Sequence, residues 1–372
     1  MTDDVALIVL ITIAAALIFD VINGFHDAAN SIATVVSTRV LSPRAAVWWA
    51  AIANFIALFI FHQGVADTIA KTINVKTLNL NCTMVDAPNI DPFVFCDQVA
   101  HPAYVWVVIA GLAGAIAWNL FTWWIGLPSS SSHALIGGLS GAGLAFGGWD
   151  TLHLGAIYKT LYFIPLAPIL GLVLGSLLMF VVFWVFRKMR PQKVDKMFRV
   201  GQLISAGLYS IGHGGNDAQK TAGVIWAVMI AGGMLHPAIS DAVTGKVLVD
   251  ADPAPYWVFV ASYSAMAFGT AIGGWRIVKT MGMGLTHLKP VGGFCAEVAG
   301  AVTLFVATQL HVPVSTTHVI TGAIVGVGSV TNARAIRWSL ATRIVYAWIF
   351  TIPMAGLVGA GVVWVFHIIG AW

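Results

Sequence analysis

Two acids stand where almost everything around them is hydrocarbon. Asp27 lies in Asn23-Gly24-Phe25-His26-Asp27-Ala28-Ala29-Asn30-Ser31, and Asp217 lies in His213-Gly214-Gly215-Asn216-Asp217-Ala218-Gln219-Lys220-Thr221, 190 residues further on. A carboxylate at membrane depth is costly unless it is paired, protonated or facing water, so it either serves a cation or makes a structural ion pair. Its occurrence at matched places of two similar strings favours the first. Histidine is the side chain suited to exchanging a proton near neutral pH, and one precedes the first acid at His26. Asp20 carries less weight, as a second acid on the same path or a side chain near the outer water. A second pair of strings, Pro128-Ser129-Ser130-Ser131-Ser132-His133 and Pro313-Val314-Ser315-Thr316-Thr317-His318, recurs 185 residues apart. Proline followed by hydroxyl residues composes the first turn of a helix, where unpaired N–H groups and the positive end of the dipole face forward. Ser130, Ser131, Ser132, Ser315, Thr316 and Thr317 add hydroxyl donors to those amides. One such start is an ordinary capped helix, but two meeting in mid-membrane make a cradle for an oxyanion.

Acids and an anion cradle in one cavity make sense together if a cation travels with the anion. Moving a doubly charged anion against an inside-negative potential costs about 2.3 kcal/mol per charge per 100 mV, which co-transported positive charge offsets. The strings therefore read as the site of a secondary transporter and not of an enzyme. A metal-dependent hydrolase would need a zinc spacing such as HExxH, which is absent, and the acids sit in separate halves and not in one motif. A channel would show a selectivity constriction.

The elements that position these groups follow from composition. With 59% hydrophobic and 9% charged residues, the chain is predicted to be an all-α polytopic membrane protein, with no feature for nucleic acid. Apolar runs give ten spans, at 5–38, 45–62, 103–125, 128–147, 163–186, 200–235, 256–275, 291–310, 313–331 and 344–368. The count extends to about ten to twelve segments, because the runs 5–38 and 200–235 exceed one span and invite a broken helix. Thr2-Asp3-Asp4 is acidic where a signal peptide needs positive charge, so the first run is read as a retained span. Placing the first span outside to inside puts fourteen of the nineteen Lys and Arg residues in the cytoplasm and both termini on the outer, periplasmic side of an inner membrane. Five spans per half make the second half enter upside down, an inverted-topology repeat with broken or re-entrant half-helices. The halves run 1–186 and 200–372, joined by a short basic linker at 187–199. Gly24, Gly212, Gly214 and Gly215 would permit an unwound backbone beside the acids. Cys82 and Cys96 share a predicted outer loop, as a disulfide or as free thiols. The small-residue strings Gly137-Gly138-Leu139-Ser140-Gly141 and Gly322-Ala323-Ile324-Val325-Gly326 allow close helix packing, within one subunit or between two in a homodimer.

These four strings together resemble the signatures of the inorganic phosphate transporters of the Pit type, and within them the bacterial low-affinity permeases, over nearly the whole chain. The resemblance implies symport of inorganic phosphate with protons or sodium, no cofactor, and a site at the quoted positions. Asn30 and Asn216 join the hydroxyls on phosphate, while His26, Asp27, Asp217, Lys220 and Glu297 serve the cation. Sodium-coupled members usually place asparagine where this chain has His26 and Lys220, and often an acid where it has Asn54. Proton coupling is therefore expected, with Lys220 as a built-in counter-charge. Relatives are thought to carry a neutral complex of a divalent metal with hydrogen phosphate, of unspecified metal. His133 and His318 are read as hydrogen bonders at the helix starts and not as metal ligands. Sulfate or arsenate is the alternative substrate, since a hydroxyl-and-amide cradle separates tetrahedral oxyanions poorly.

Overall fold

A computed structural model describes residues 3–61, 64–70, 81–85, 93–97, 102–235, 239–240, 247–249 and 252–371. Twelve helices run α1 (Asp3–Ser37), α2 (Pro43–Ile56), α3 (Gly64–Ala70), α4 (Pro102–Ile125), α5 (Ser131–Gly147), α6 (Leu154–Phe186), α7 (Pro191–Ala231), α8 (Tyr256–Ile272), α9 (Trp275–Val278), α10 (Pro290–Gln309), α11 (Thr316–Asn332) and α12 (Trp338–Ile368). Strands occur only between helices, as the antiparallel pairs β1 (Asn81–Val85) with β2 (Phe93–Asp97) and β3 (Ile239–Ser240) with β4 (Val247–Val249). Cys82 lies opposite Cys96 in the backbone register of the first pair. Their side chains, and the loop lysines Lys71, Lys76 and Lys246, lie outside the described residues.

Among the described residues, five helices are long and apolar enough to cross a bilayer, or up to seven if each bent pair counts as one span. The chain is a multi-pass membrane protein. Large apolar side chains are exposed along α6 and α12, among them Phe180, Trp184, Leu357 and Trp364, which is the surface lipid wets and water does not. α5 and α11 have 17 residues each, about 25 Å of helix against a hydrocarbon core of about 30 Å.

The order of elements repeats. Each half has a long polar-seamed helix (α1, α7), a bent pair (α2 with α3, α8 with α9), a helix (α4, α10), a short helix (α5, α11) and a proline-containing long helix (α6, α12). The bends are 87° and 62°. Packing repeats too: α5 lies against α12 and α11 against α6, while α1 lies against α8 and α7 against α2. α1 and α7 cross the centre antiparallel, since Thr38 meets Gln202 at one end and Asp20 sits beside Thr221 at the other.

One expectation is corrected and two stretches take definite form. α1 and α7 are unbroken through Gly24, Gly212, Gly214 and Gly215, so these glycines do not unwind the helix. They let helices touch: a Cβ on Gly24 would meet the backbone of α8 at Met266 and Thr270, and one on Gly214 would lie 2.8 Å from the Cα of Asn54 in α2. Interruptions fall instead in the second element of each half. Within the basic stretch 187–199, α7 begins at Pro191, at a first helical position where a missing N–H costs nothing. The small-residue strings are used within the subunit. Gly137 and Gly141 abut Ile352 and Gly356 of α12, and Gly322 and Gly326 abut Pro168 and Leu172 of α6.

That last contact supports a prediction. Gly322→Ala would drive a methyl into the Pro168 backbone, and overpacking of this kind costs about 1–3 kcal/mol. Thermal unfolding in detergent is expected to fall for Gly322→Ala and not for Gly361→Ala, since Gly361 has open space around it. Equal stability of the two variants would refute the contact.

Candidate functional site

The two hydroxyl strings do start helices. Gly126 at φ +70° ends α4 and turns the chain back toward Ser130, which caps α5 by accepting the His133 N–H at 3.2 Å. In the second half His311 takes the same left-handed conformation, at φ +57°, before Ser315 caps α11 by accepting the His318 N–H at 3.3 Å. The two starts lie side by side, with the rings of His133 and His318 4.7 Å apart at their centroids. Ser130, Ser131, Ser132, Ser315, Thr316 and Thr317 are all buried. Remaining first-turn N–H groups have no intrahelical acceptor, so unpaired donors of two adjacent helix starts lie in one buried region.

Each start is tied to the long helix of the opposite half. Asn30 of α1 donates to Thr317 Oγ1 at 2.9 Å and Thr316 Oγ1 at 3.3 Å. Lys220 of α7 donates to Ser132 Oγ, to Val314 O at 2.8 Å and to Asp217 Oδ1. Thr316 Oγ1 donates to Asp217 Oδ2 at 3.0 Å. Lys220 is 2% exposed and Asp217 1%, so the ammonium is a fixed positive charge held by a carboxylate, a hydroxyl and a carbonyl.

Asp27 and Asp217 are brought together. One ligand atom each from Asp27, His213 and Asp217 lies within 4.8 Å of the others, a group able to hold a metal ion. Two carboxylates about 5 Å apart repel by about 3 kcal/mol at an effective dielectric of about 20, and one ammonium neutralises only one of them. A further cation held between the two acids would relieve that repulsion. His26 Nδ1 lies 2.8 Å from Asp27 Oδ1, and its Nε2 reaches Thr122 Oγ1 at 3.1 Å and Ser129 Oγ at 3.3 Å. His213 Nδ1 lies 3.2 Å from Asn54 Oδ1.

Two residues expected at the site stand apart from it. Asn216 donates to Thr308 Oγ1 and Val312 O, both at 3.2 Å, at the end of α10 and the chain leading into α11. Glu297 of α10 is bonded by Thr34 Oγ1 at 2.6 Å, Gln202 Nε2 at 3.0 Å and Ser205 Oγ, a separate buried acid further along the α1–α7 crossing. Thr34, Thr122, Gln202, Ser205 and Tyr209, which donates to Thr316 O at 3.1 Å, escaped the sequence reading. A signal existed: Asn23, Asp27, Asn30, Thr34 and Thr38 recur at three- and four-residue steps, as do Gln202, Ser205, Tyr209, His213, Asn216 and Lys220. Such spacing puts each set on one helix face, and all are buried.

Comparison with known proteins agrees with this architecture. A family profile described as "Phosphate transporter family" matches residues 23–359. A protein of Rhizobium meliloti (strain 1021) named "Probable low-affinity inorganic phosphate transporter" is 49% identical over 348 residues, covering 94% of this chain and 93% of its own. One of the same name from Bacillus subtilis (strain 168) is 39% identical, covering 96% and 97%. A solved structure described as "The sodium-dependent phosphate transporter" superposes with a TM-score of 0.80 over 97% of this chain and 99% of that one, at 22% identity. At that identity the likeness speaks for the fold.

Proposed function

The chain belongs to the phosphate transporter family, and from that premise we propose that it imports inorganic phosphate across the inner membrane by symport with protons. Phosphate sits between the starts of α5 and α11, on Ser130, Ser131, Ser132, Ser315, Thr316, Thr317 and Asn30. The observation that carries the coupling ion is Lys220: its ammonium fills a pocket of Asp217, Ser132 and Val314 oxygens that would otherwise suit an alkali cation. The remaining positive charge is a proton, exchanged by His26, Asp27 and Asp217. A proton needs no coordination shell, and a neighbouring acid and imidazole suffice to pass it on.

The closure of the chamber supports alternating access, since every donor that would grip phosphate is buried and the site must open to each side in turn. Antiparallel α1 and α7, with matched packing in the two halves, favour the inverted repeat, and the distribution of Lys and Arg favours termini on the periplasmic side. The Asp27–His213–Asp217 group favours a further reading, in which a divalent metal arrives bound to hydrogen phosphate as part of the substrate.

Labelled phosphate uptake into proteoliposomes under separately imposed gradients tests this. An inward proton gradient is expected to drive accumulation and a sodium gradient is not; the reverse result discards proton coupling. Excess sulfate should leave uptake intact, and sulfate competing as well as unlabelled phosphate would discard the substrate. Removing divalent metal with a chelator lowers uptake if the metal complex is carried and leaves it unchanged if free phosphate is.

A further inference from the structure

Asp20 is a buried acid on the α1–α7 crossing that, like Glu297, stands outside the cradle. It is fully buried, at 0% exposure, so it is not a side chain near the outer water. Neither of its carboxylate oxygens makes a well-formed hydrogen bond, nor do Asn23 Oδ1 and Thr221 Oγ1, although Thr221 and Asn23 lie close enough to act on its charge. A bare carboxylate among unpartnered oxygens in a dry interior is not a stable arrangement; it takes up positive charge or loses its own. An alkali ion is a poor occupant. It needs more oxygens than these side chains supply, and α1 and α7 run unbroken here, so no backbone carbonyl is free to complete a shell.

The position of Asp20 says what a proton there would do. Asp20, Asn23, Asp27, Asn30 and Thr34 share one face of α1, and Thr34 donates to Glu297. Acids thus stand at both ends and in the middle of a buried polar line. From Asp20 to Thr34 it rises about 21 Å along the helix axis. Charged and titratable groups facing Asp20 are Asp217 and Lys220 from α7 and Tyr263 from α8; the ammonium is held by Asp217, Ser132 and Val314 and is not the partner of Asp20. We propose that Asp20 is a proton-relay residue, the acid that takes up the coupling proton at the end of the α1–α7 seam remote from Glu297 and passes it toward Asp27. The proton rides as a carboxylic O–H donated to Asn23 Oδ1 or Thr221 Oγ1, and leaves as the next acid accepts it.

This rests on proton coupling, so the experiment reads the two separately. Asp20→Asn keeps the shape of the neutral acid and removes the exchangeable proton; Asp20→Glu restores a carboxyl. In proteoliposomes, Asp20→Asn is expected to keep phosphate–phosphate exchange within about twofold of wild type and to lose proton-driven accumulation by about tenfold or more, because a step lacking its proton carrier fails only when protons must move. Asp20→Glu is expected to recover accumulation. If wild type itself ignores the proton gradient, the coupling reading falls and the relay with it. If wild type responds and Asp20→Asn responds equally, the relay alone falls. Equal loss of exchange and accumulation in Asp20→Asn makes Asp20 a packing residue and overturns the relay as well.

Discussion

Lys220→Asn is expected to make phosphate uptake depend on sodium. The ammonium now sits on Asp217 Oδ1, Ser132 Oγ and Val314 O, and its removal leaves a buried carboxylate, a hydroxyl and a carbonyl facing one empty point. Stripping one partner from a buried ion pair costs about 3–5 kcal/mol, which at about 1.4 kcal/mol per tenfold corresponds to at least a hundredfold loss of function in sodium-free medium. Sodium can refill the point, because three hard oxygen ligands are already in place and the introduced amide adds a fourth. Uptake by the variant should rise at least about tenfold on adding sodium while wild type does not move. A variant that keeps wild-type uptake without sodium would show that the ammonium does not stand in for a cation.

Asp217→Asn carries the other large effect, and it falls on stability as well as transport. Asp217 is the anchor of Lys220, accepts from Thr316 Oγ1 and lies 3.3 Å from His213 Nε2. Neutralising it strands an ammonium inside the protein and slackens the start of α11. Loss of about 3–5 kcal/mol is expected, visible as a lower unfolding temperature in detergent and as absent uptake. The double variant Asp217→Asn with Lys220→Met removes the stranded charge, and should regain most of the stability while uptake stays absent. Recovery of both together would mean that Asp217 holds the fold and has no part in transport. Failure to recover either would mean that the pair is not the source of the loss.

Much of the site was legible because the chemistry is expensive in lipid. Asp27, Asp217 and the two hydroxyl strings are conspicuous against an apolar background, and their duplication could be read off residue numbers alone. Helix starts at Ser130 and Ser315 follow from local chemistry, a hydroxyl acceptor three residues before a free N–H. Long-range partners were not legible. That Asn30 reaches across 287 positions to Thr317, or that Lys220 bridges Ser132 and Val314, depends on how far each helix slides past its neighbour, and no local pattern sets that. The glycines misled for a related reason. In isolation a glycine near an acid means a flexible backbone, but in contact with another helix it means absence of a side chain, and only the neighbour decides between the two.

The amino-acid sequence by itself determined the solvent, the duplication and the kinds of group that meet: spans come from hydrocarbon length, and buried polar residues in a bilayer must find each other. The tertiary structure alone decided which groups meet. Antiparallel crossing of α1 and α7 brings Asp27 to Asp217, puts Glu297 and Asp20 at opposite ends of one seam, and turns the Asn216 amide to Thr308 and Val312. Those outcomes turn on interhelical register, a property of two packed surfaces, and a single segment carries only one of them.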